Sequence, residues 1–114
     1  MPQHERRINT RIPAEFKVNY VHNGDYIISY TKDLSVDGMF IYTKNPPPVG
    51  DSTKLIFSIG ELNDVSVSTR VIWVNQDKES LDSGMGVRFI DPPDALRNAI
   101  LQTIKKVALL NKDS

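Results

Sequence analysis

Apolar and polar residues alternate along several short stretches of the chain, and a period of two predicts strands with one buried face. Other stretches are rich in the β-branched and aromatic residues that strands favour. The longest stretch alternates strictly from Val65 to Trp73. Together these patterns predict six strands, at about residues 14–22, 25–32, 39–43, 53–59, 65–75 and 84–90.

Turn-forming residues separate the predicted strands. Asn23-Gly24 is a strong hairpin signal, because both residues tolerate a positive φ. The segment Asp33–Gly38 is predicted to be a turn, with Gly38 supplying an unusual φ. Asn45–Pro48 carries three prolines and cannot join a sheet ladder, so it marks a loop. Residues 60–64 and 76–83 complete the connections.

The pattern changes after the last strand. Asp91-Pro-Pro-Asp94 ends the sheet and begins a helix at about residues 93–111, whose apolar residues recur at helical spacing. Strands without intervening helices favour a mainly all-β fold, an antiparallel barrel or sandwich, with this helix covering one open face or end. The domain is therefore expected to span residues 13–111.

Residues 1–12 are polar, show no helical period and carry three arginines, so they are predicted to form a flexible arm leading into the fold. The N-terminus has no apolar region typical of a signal peptide, and no apolar run approaches the roughly 20 residues that span a bilayer. We expect a cytoplasmic protein without membrane insertion.

Composition narrows the possible ligands. Fourteen basic residues balance 14 acidic ones, so no overall field attracts a long polyanion and any anion site must be local. This argues against DNA or RNA as a partner. The chain has no cysteine and only two histidines, neither in a metal-ligating spacing, so we expect no metal and no cofactor.

Three segments carry candidate chemistry. Arg6, Arg7 and Arg11 offer planar forks of donors that suit phosphate and the guanine edge, although a solvated basic tail is the simpler interpretation. Asp33, Ser35 and Gly38 either stabilise a turn or present acceptors and donors to a ligand. The segment 84–89, with glycines at 84 and 86, indicates a bulge or a tight barrel corner rather than a ligand contact.

Taken in order, these segments resemble the PilZ domain family. The Arg7-x-x-x-Arg11 pair stands before the first strand, and the Asp33-x-Ser35-x-x-Gly38 turn follows. Gly86-Val87-Arg88-Phe89 and the terminal helix are similar to the rest of that domain. The resemblance covers nearly the whole chain and implies a six-stranded antiparallel β-barrel.

The resemblance also implies a ligand, the bacterial second messenger cyclic di-GMP. By similarity, Arg7 and Arg11 hold phosphates and guanine edges, while Asp33, Ser35 and Gly38 line the barrel side of the site. Arg6 precedes the pair, and an arginine there is associated in the family with two intercalated nucleotides per site. Trp73 either stacks on a guanine or belongs to the barrel core or rim.

Catalysis is not expected. Ser35 has no nearby histidine and no nucleophile elbow, and the chain has no nucleoside triphosphate loop. We expect a stand-alone receptor, monomeric or weakly dimeric, in which ligand orders the arm and a separate, unidentified protein reads the signal. The alternatives are an adaptor with little nucleotide affinity, using an apolar patch at Leu101, Ala108 and Leu109, or a barrel for single-stranded nucleic acid.

Overall fold

The computed structural model describes residues 12–77 and 79–112, of which residues 108–112 are described as backbone only. Its strands are β1 (Ile12–Pro13), β2 (Lys17–His22), β3 (Asp25–Leu34), β4 (Gly38–Tyr42), β5 (Ser52–Ile59), β6 (Leu62–Asn75) and β7 (Gly84–Ile90). One helix, α1 (Asp94–Lys112), follows the strands. No helix in this part of the chain is both long and apolar enough to cross a membrane.

Six of the strands close into a barrel. The hydrogen-bonded order is β3-β2-β5-β6-β7-β4, and β4 pairs back onto β3. Every pairing is antiparallel, and the short β1 is added beside the end of β3. The expected six-stranded antiparallel barrel with a C-terminal helix is confirmed, with β1 as an extra strand.

One hydrophobic core fills the barrel and continues under the helix. Along β5 and β6 the inward side chains alternate with exposed or half-buried ones, as a sheet with one solvated face requires. Leu96 and Ile100 of α1 are fully buried in the same cluster, and α1 packs against β5 and β6. The helix is therefore part of the core.

The strand boundaries differ most from the predicted ones in three places, and β4 and β5 differ by single residues. Strand β3 continues to Leu34, because β1 and β4 cover its two edges there, so Asp33 lies on a strand and not in a turn. Residues 14–16 lie between β1 and β2 and are not part of a strand. Gly60 and Glu61 alone connect β5 to β6, with Gly60 at a φ of 59°.

Two side chains lie in surroundings that the sequence pattern did not predict. Ile12, the last residue of the predicted arm, is buried and pairs with Leu34. Leu101, which the adaptor alternative placed in an exposed apolar patch, is half-buried and packs against the core. The side chains of Ala108 and Leu109 lie outside the described residues.

Candidate functional site

The outer wall of the barrel at β4 and β7 carries aromatic rings over glycines. Met39 and Ile41 point into the core, so Phe40 between them points outward. Its cross-strand partner is Gly86, and Gly86 pairs in turn with Trp73 of β6. Directly opposite residues share a face of the sheet, so Phe40, Gly86 and Trp73 form one outward row.

Phe40, Tyr42 and Trp73 form a continuous aromatic shelf on this wall. The Phe40 ring centroid lies 5.4 Å from those of both Tyr42 and Trp73. Phe40 is only 3% exposed, whereas Trp73 is 46% exposed. The shelf thus presents one partly open indole whose position is fixed by a buried neighbouring ring.

The two glycines of β7 make room for this shelf. A Cβ on Gly86 would lie 2.2 Å from Trp73 Nε1, and a Cβ on Gly84 would lie 2.7 Å from Phe40 Cζ. The Trp73 and Phe40 rings therefore pack directly against the β7 backbone at Gly86 and Gly84. The two glycines allow close packing against β7, and of the expected bulge or tight barrel corner, a bulge does lie here, on the strand opposite Gly86.

The bulge is in β6. The register between β6 and β7 shifts between Val71 and Trp73, so Ile72 is the extra residue. Strict alternation would have placed Trp73 inward with Val71, which is buried. The bulge turns Trp73 to the outer wall, since a bulge re-aims the side chains that follow it. Trp73 consequently lies on the outer wall and not in the core.

The turn between β3 and β4 is built around Ser35. Its hydroxyl accepts hydrogen bonds from the backbone N–H groups of Asp37 and Gly38, at 3.3 and 3.2 Å, and donates to the Gly38 carbonyl at 3.3 Å. Ser35 N–H also donates to the Gly38 carbonyl at 2.9 Å. Ser35 is buried, and its hydroxyl is engaged inside the turn.

The close approach of β4 to β7 requires a glycine at position 38. A Cβ at this position would lie 1.9 Å from the Val87 carbonyl oxygen of β7. The φ of Gly38 is not positive, so the expectation of an unusual φ here was wrong. Because Gly38 has no side chain, the turn can pack against β7. For the same reason no side chain of Gly38 covers the outer wall beside the turn.

Asp33 and Lys32 border the shelf from β3. Asp33 is half-buried and its cross-strand partner is Phe40, which places the carboxylate on the outer wall. Lys32 Nζ lies 5.4 Å from the centroid of the Phe40 ring and 3.3 Å from Asp82 Oδ2. An acceptor and a cation thus flank the same ring.

Arg6, Arg7 and Arg11 lie outside the described residues. The described chain begins at Ile12, whose Cα partner is Leu34, the residue before Ser35. The arginine-bearing segment therefore joins the barrel beside the Ser35 turn. No cluster of three or more potential metal ligands is present within residues 12–77 and 79–112.

The structure assembles Asp33, Ser35, Gly38 and Trp73 on one side of the barrel. Sequence reasoning missed Phe40, Arg70 and Arg88, which share this wall. Phe40 was hidden because Met39–Ile41 is apolar throughout and shows no alternation. Arg70 and Arg88 looked like ordinary exposed positions, and only the register of β6 against β7 brings them together.

The fold and this site define a small closed antiparallel barrel with a polar turn and an aromatic shelf on its outer wall. The chain belongs to the PilZ domain family, whose model matches residues 3–106. No curated protein matches the chain by sequence.

Three solved structures are similar to the barrel. The Bacillus subtilis inhibitor of motility MotI/DgrA has a TM-score of 0.75 at 19% identity, over 91% of this chain and 51% of that one. Borreliella burgdorferi PlzA, in complex with c-di-GMP, has a TM-score of 0.62 at 16% identity, over 87% and 41%. The PilZ domain of YcgR from Escherichia coli, with c-di-GMP, has a TM-score of 0.64 at 14% identity, over 95% of both chains.

These likenesses establish the fold. The chain spans about half of the length of MotI/DgrA and about two fifths of that of PlzA.

Proposed function

We propose that this chain is a receptor for cyclic di-GMP, acts in the bacterial cytoplasm and has no catalytic activity. The observation that carries the proposal is the convergence of Asp33, the Ser35 turn and Trp73 on one wall, beside the point where the arginine segment joins the barrel. That two of the similar PilZ structures contain c-di-GMP supports the choice of ligand.

In this proposal the three N-terminal arginines close over the outer wall. Arg7 and Arg11 bind phosphate oxygens and guanine edges through their planar forks. Arg6 adds a third fork, which suits a site holding two stacked nucleotides. Asp33 accepts from the N–H groups of a guanine edge or orients one of these arginines.

Trp73 provides the stacking surface for a guanine. A base on an aromatic face gains about 1–3 kcal/mol. Because Phe40 holds the indole from one side, little conformational freedom is lost when the base stacks. The exposed indole and the fixed ring beneath it favour ligand stacking over a purely structural role.

Ser35 and Gly38 act on the ligand through the shape of the turn. The Ser35 hydroxyl holds the backbone of residues 35–38, and Gly38 lets that backbone approach β7. We therefore assign Ser35 a positioning role.

Ligand binding would order the arginine segment on the barrel and create a surface that a separate protein reads. An order–disorder change of this kind transmits a signal because the ligand binds one state more tightly than the other. The adaptor alternative is weakened because Leu101, one of its three patch residues, packs against the core.

Isothermal titration with cyclic di-GMP tests the proposal. The test variant is Arg7→Ala/Arg11→Ala. The matched control is Lys17→Ala/Lys54→Ala, which also removes two cations, on the exposed faces of β2 and β5 across the barrel from β7 and β4. We expect the wild type and the control to bind and the arginine variant to lose binding while remaining folded.

The stoichiometry distinguishes one ligand per site from two, and Arg6→Ala is expected to lower it. Absence of binding by the wild type would overturn the receptor assignment. Equal loss in the control and the test variant would show a general charge effect and would remove the specific role of the arginines.

A further inference from the structure

Two arginines stand side by side on the outer wall, in a row that holds no other charge. Arg88 of β7 is directly opposite Arg70 of β6. On its other side Arg88 faces Gly38, and Arg70 faces Ser52 of β5. Both arginines are exposed, and their neighbours along the chain point into the core, so both side chains point outward.

This arrangement is unfavourable in the isolated barrel. Like charges directly opposite each other in a sheet repel. Among the described residues, neither Arg70 nor Arg88 forms an ion pair with a carboxylate. A repulsive pair that no described carboxylate neutralises by an ion pair favours the binding of an anionic group.

The row lies next to the aromatic shelf. Arg88 is two residues from Gly86, and Gly86 pairs with Trp73, so the two rows are about 7 Å apart along the strands. Gly38 and Gly86 have no side chains, which leaves the wall around Arg88 open. A base stacked on Trp73 would therefore place its phosphodiester within reach of both guanidinium groups.

We propose that Arg70 and Arg88 form a phosphate seat on the barrel wall. It binds a phosphodiester of the nucleotide from the barrel wall. Two adjacent planar forks suit a phosphate, since each can donate two parallel hydrogen bonds. This inference rests on the proposed function and adds barrel residues to the site.

Other charged groups border the seat on one side. A cleft of about 260 Å³ beside Arg88 is lined by Val36, Asp37, Arg88, Phe89, Pro92 and Arg97. Asp37 and Arg97 of α1 thus place one carboxylate and one further cation in that cleft. The phosphate seat comprises only Arg70 and Arg88, because Asp37 and Arg97 line the cleft beside Arg88 and do not belong to the row that pairs Arg70 with Arg88.

The test uses the emission of Trp73, the single tryptophan of the chain, during titration with cyclic di-GMP. The variant is Arg70→Gln/Arg88→Gln and the matched control is Lys17→Gln/Lys54→Gln. We expect the dissociation constant to rise roughly tenfold or more in the arginine variant, because charge-assisted hydrogen bonds are lost. The control should remain within about twofold of the wild type.

Thermal unfolding without ligand separates binding from structure. Removing the repulsion should leave the melting temperature of the arginine variant unchanged or higher. A lower melting temperature with weaker binding would assign both arginines a structural role and overturn the seat. If the wild type and the arginine variant bind equally, the seat is wrong and the receptor assignment stands. If the wild type itself does not bind, the receptor assignment fails, and the seat with it.

Discussion

At the scale of single residues, glycines decide how the outer wall is built. Gly38 and Gly84 allow backbone to approach backbone, whereas Gly86 allows the Trp73 ring to lie on backbone. The neighbours differ in how easily they move. The Trp73 ring is partly exposed and can be displaced, but the Val87 carbonyl belongs to a paired strand and cannot. Gly38 and Gly84, which both face strand backbone, are therefore less replaceable than Gly86.

We expect Gly38→Ala to lower the free energy of unfolding by about 3 kcal/mol or more, because the new methyl group collides with strand backbone. Gly24→Ala is the matched control. Gly24 has a φ of 84° with open space around it, so only backbone conformation opposes the change, at about 1–2 kcal/mol. Urea denaturation measures both. Equal decreases in the free energy of unfolding would show that β4 and β7 move apart easily to accommodate the methyl group.

At the scale of elements, two irregularities shape the site. The bulge at Ile72 turns Trp73 outward, and a register shift in β3 between Thr31 and Asp33 accompanies the placement of Asp33 on the same wall as Phe40. The helix contributes differently, since Leu96 and Ile100 complete the core under β5 and β6. The barrel and α1 should therefore unfold together.

We expect Leu96→Ala to lower the free energy of unfolding by about 2–5 kcal/mol, since it removes a fully buried side chain and leaves a cavity. Gln102→Ala on the exposed side of α1 should change it by less than about 0.5 kcal/mol. Circular dichroism and tryptophan emission should give coincident transitions. A separate, earlier transition for the helix would contradict a shared core.

Most of the secondary-structure elements can be predicted from the sequence. Asn23-Gly24 forms the predicted hairpin, with φ values of 50° and 84°, because a two-residue loop of type I′ needs positive φ at both positions. The strands and the helix also occur close to their predicted positions. The β6 bulge is not visible, because alternation continues unbroken through Trp73 and the extra residue depends on the bare backbone of Gly86 across the strand.

At the scale of the whole molecule, charge and shape act together. The net charge is zero, so the expected anion affinity depends on local clusters of arginine. The Arg70–Arg88 pair is one cluster, and the N-terminal arginines form another by sequence. A ligand between them would lower the repulsion within each. Binding should therefore stabilise the fold and weaken as salt screens the charges.

We expect cyclic di-GMP at about 100 times its dissociation constant to stabilise the native state by about 2.7 kcal/mol, a rise in melting temperature of roughly 10 °C. Raising the salt concentration from about 50 to about 500 mM should weaken binding several-fold, because phosphate contacts are screened. Differential scanning fluorimetry measures the first effect and titration the second. An affinity that does not depend on salt would argue against arginine–phosphate contacts.

The sequence by itself determined the strands, the first hairpin, the terminal helix and the positions of the arginine and Asp-x-Ser-x-x-Gly motifs, because these depend on local periodicity and backbone preference. The tertiary structure decided which side chains share the outer wall. Strand register paired Arg70 with Arg88, and the β6 bulge exposed Trp73. Close packing of β4 against β7 made Gly38 a steric requirement. These relations join residues far apart in the chain, so they exist only once the barrel has closed.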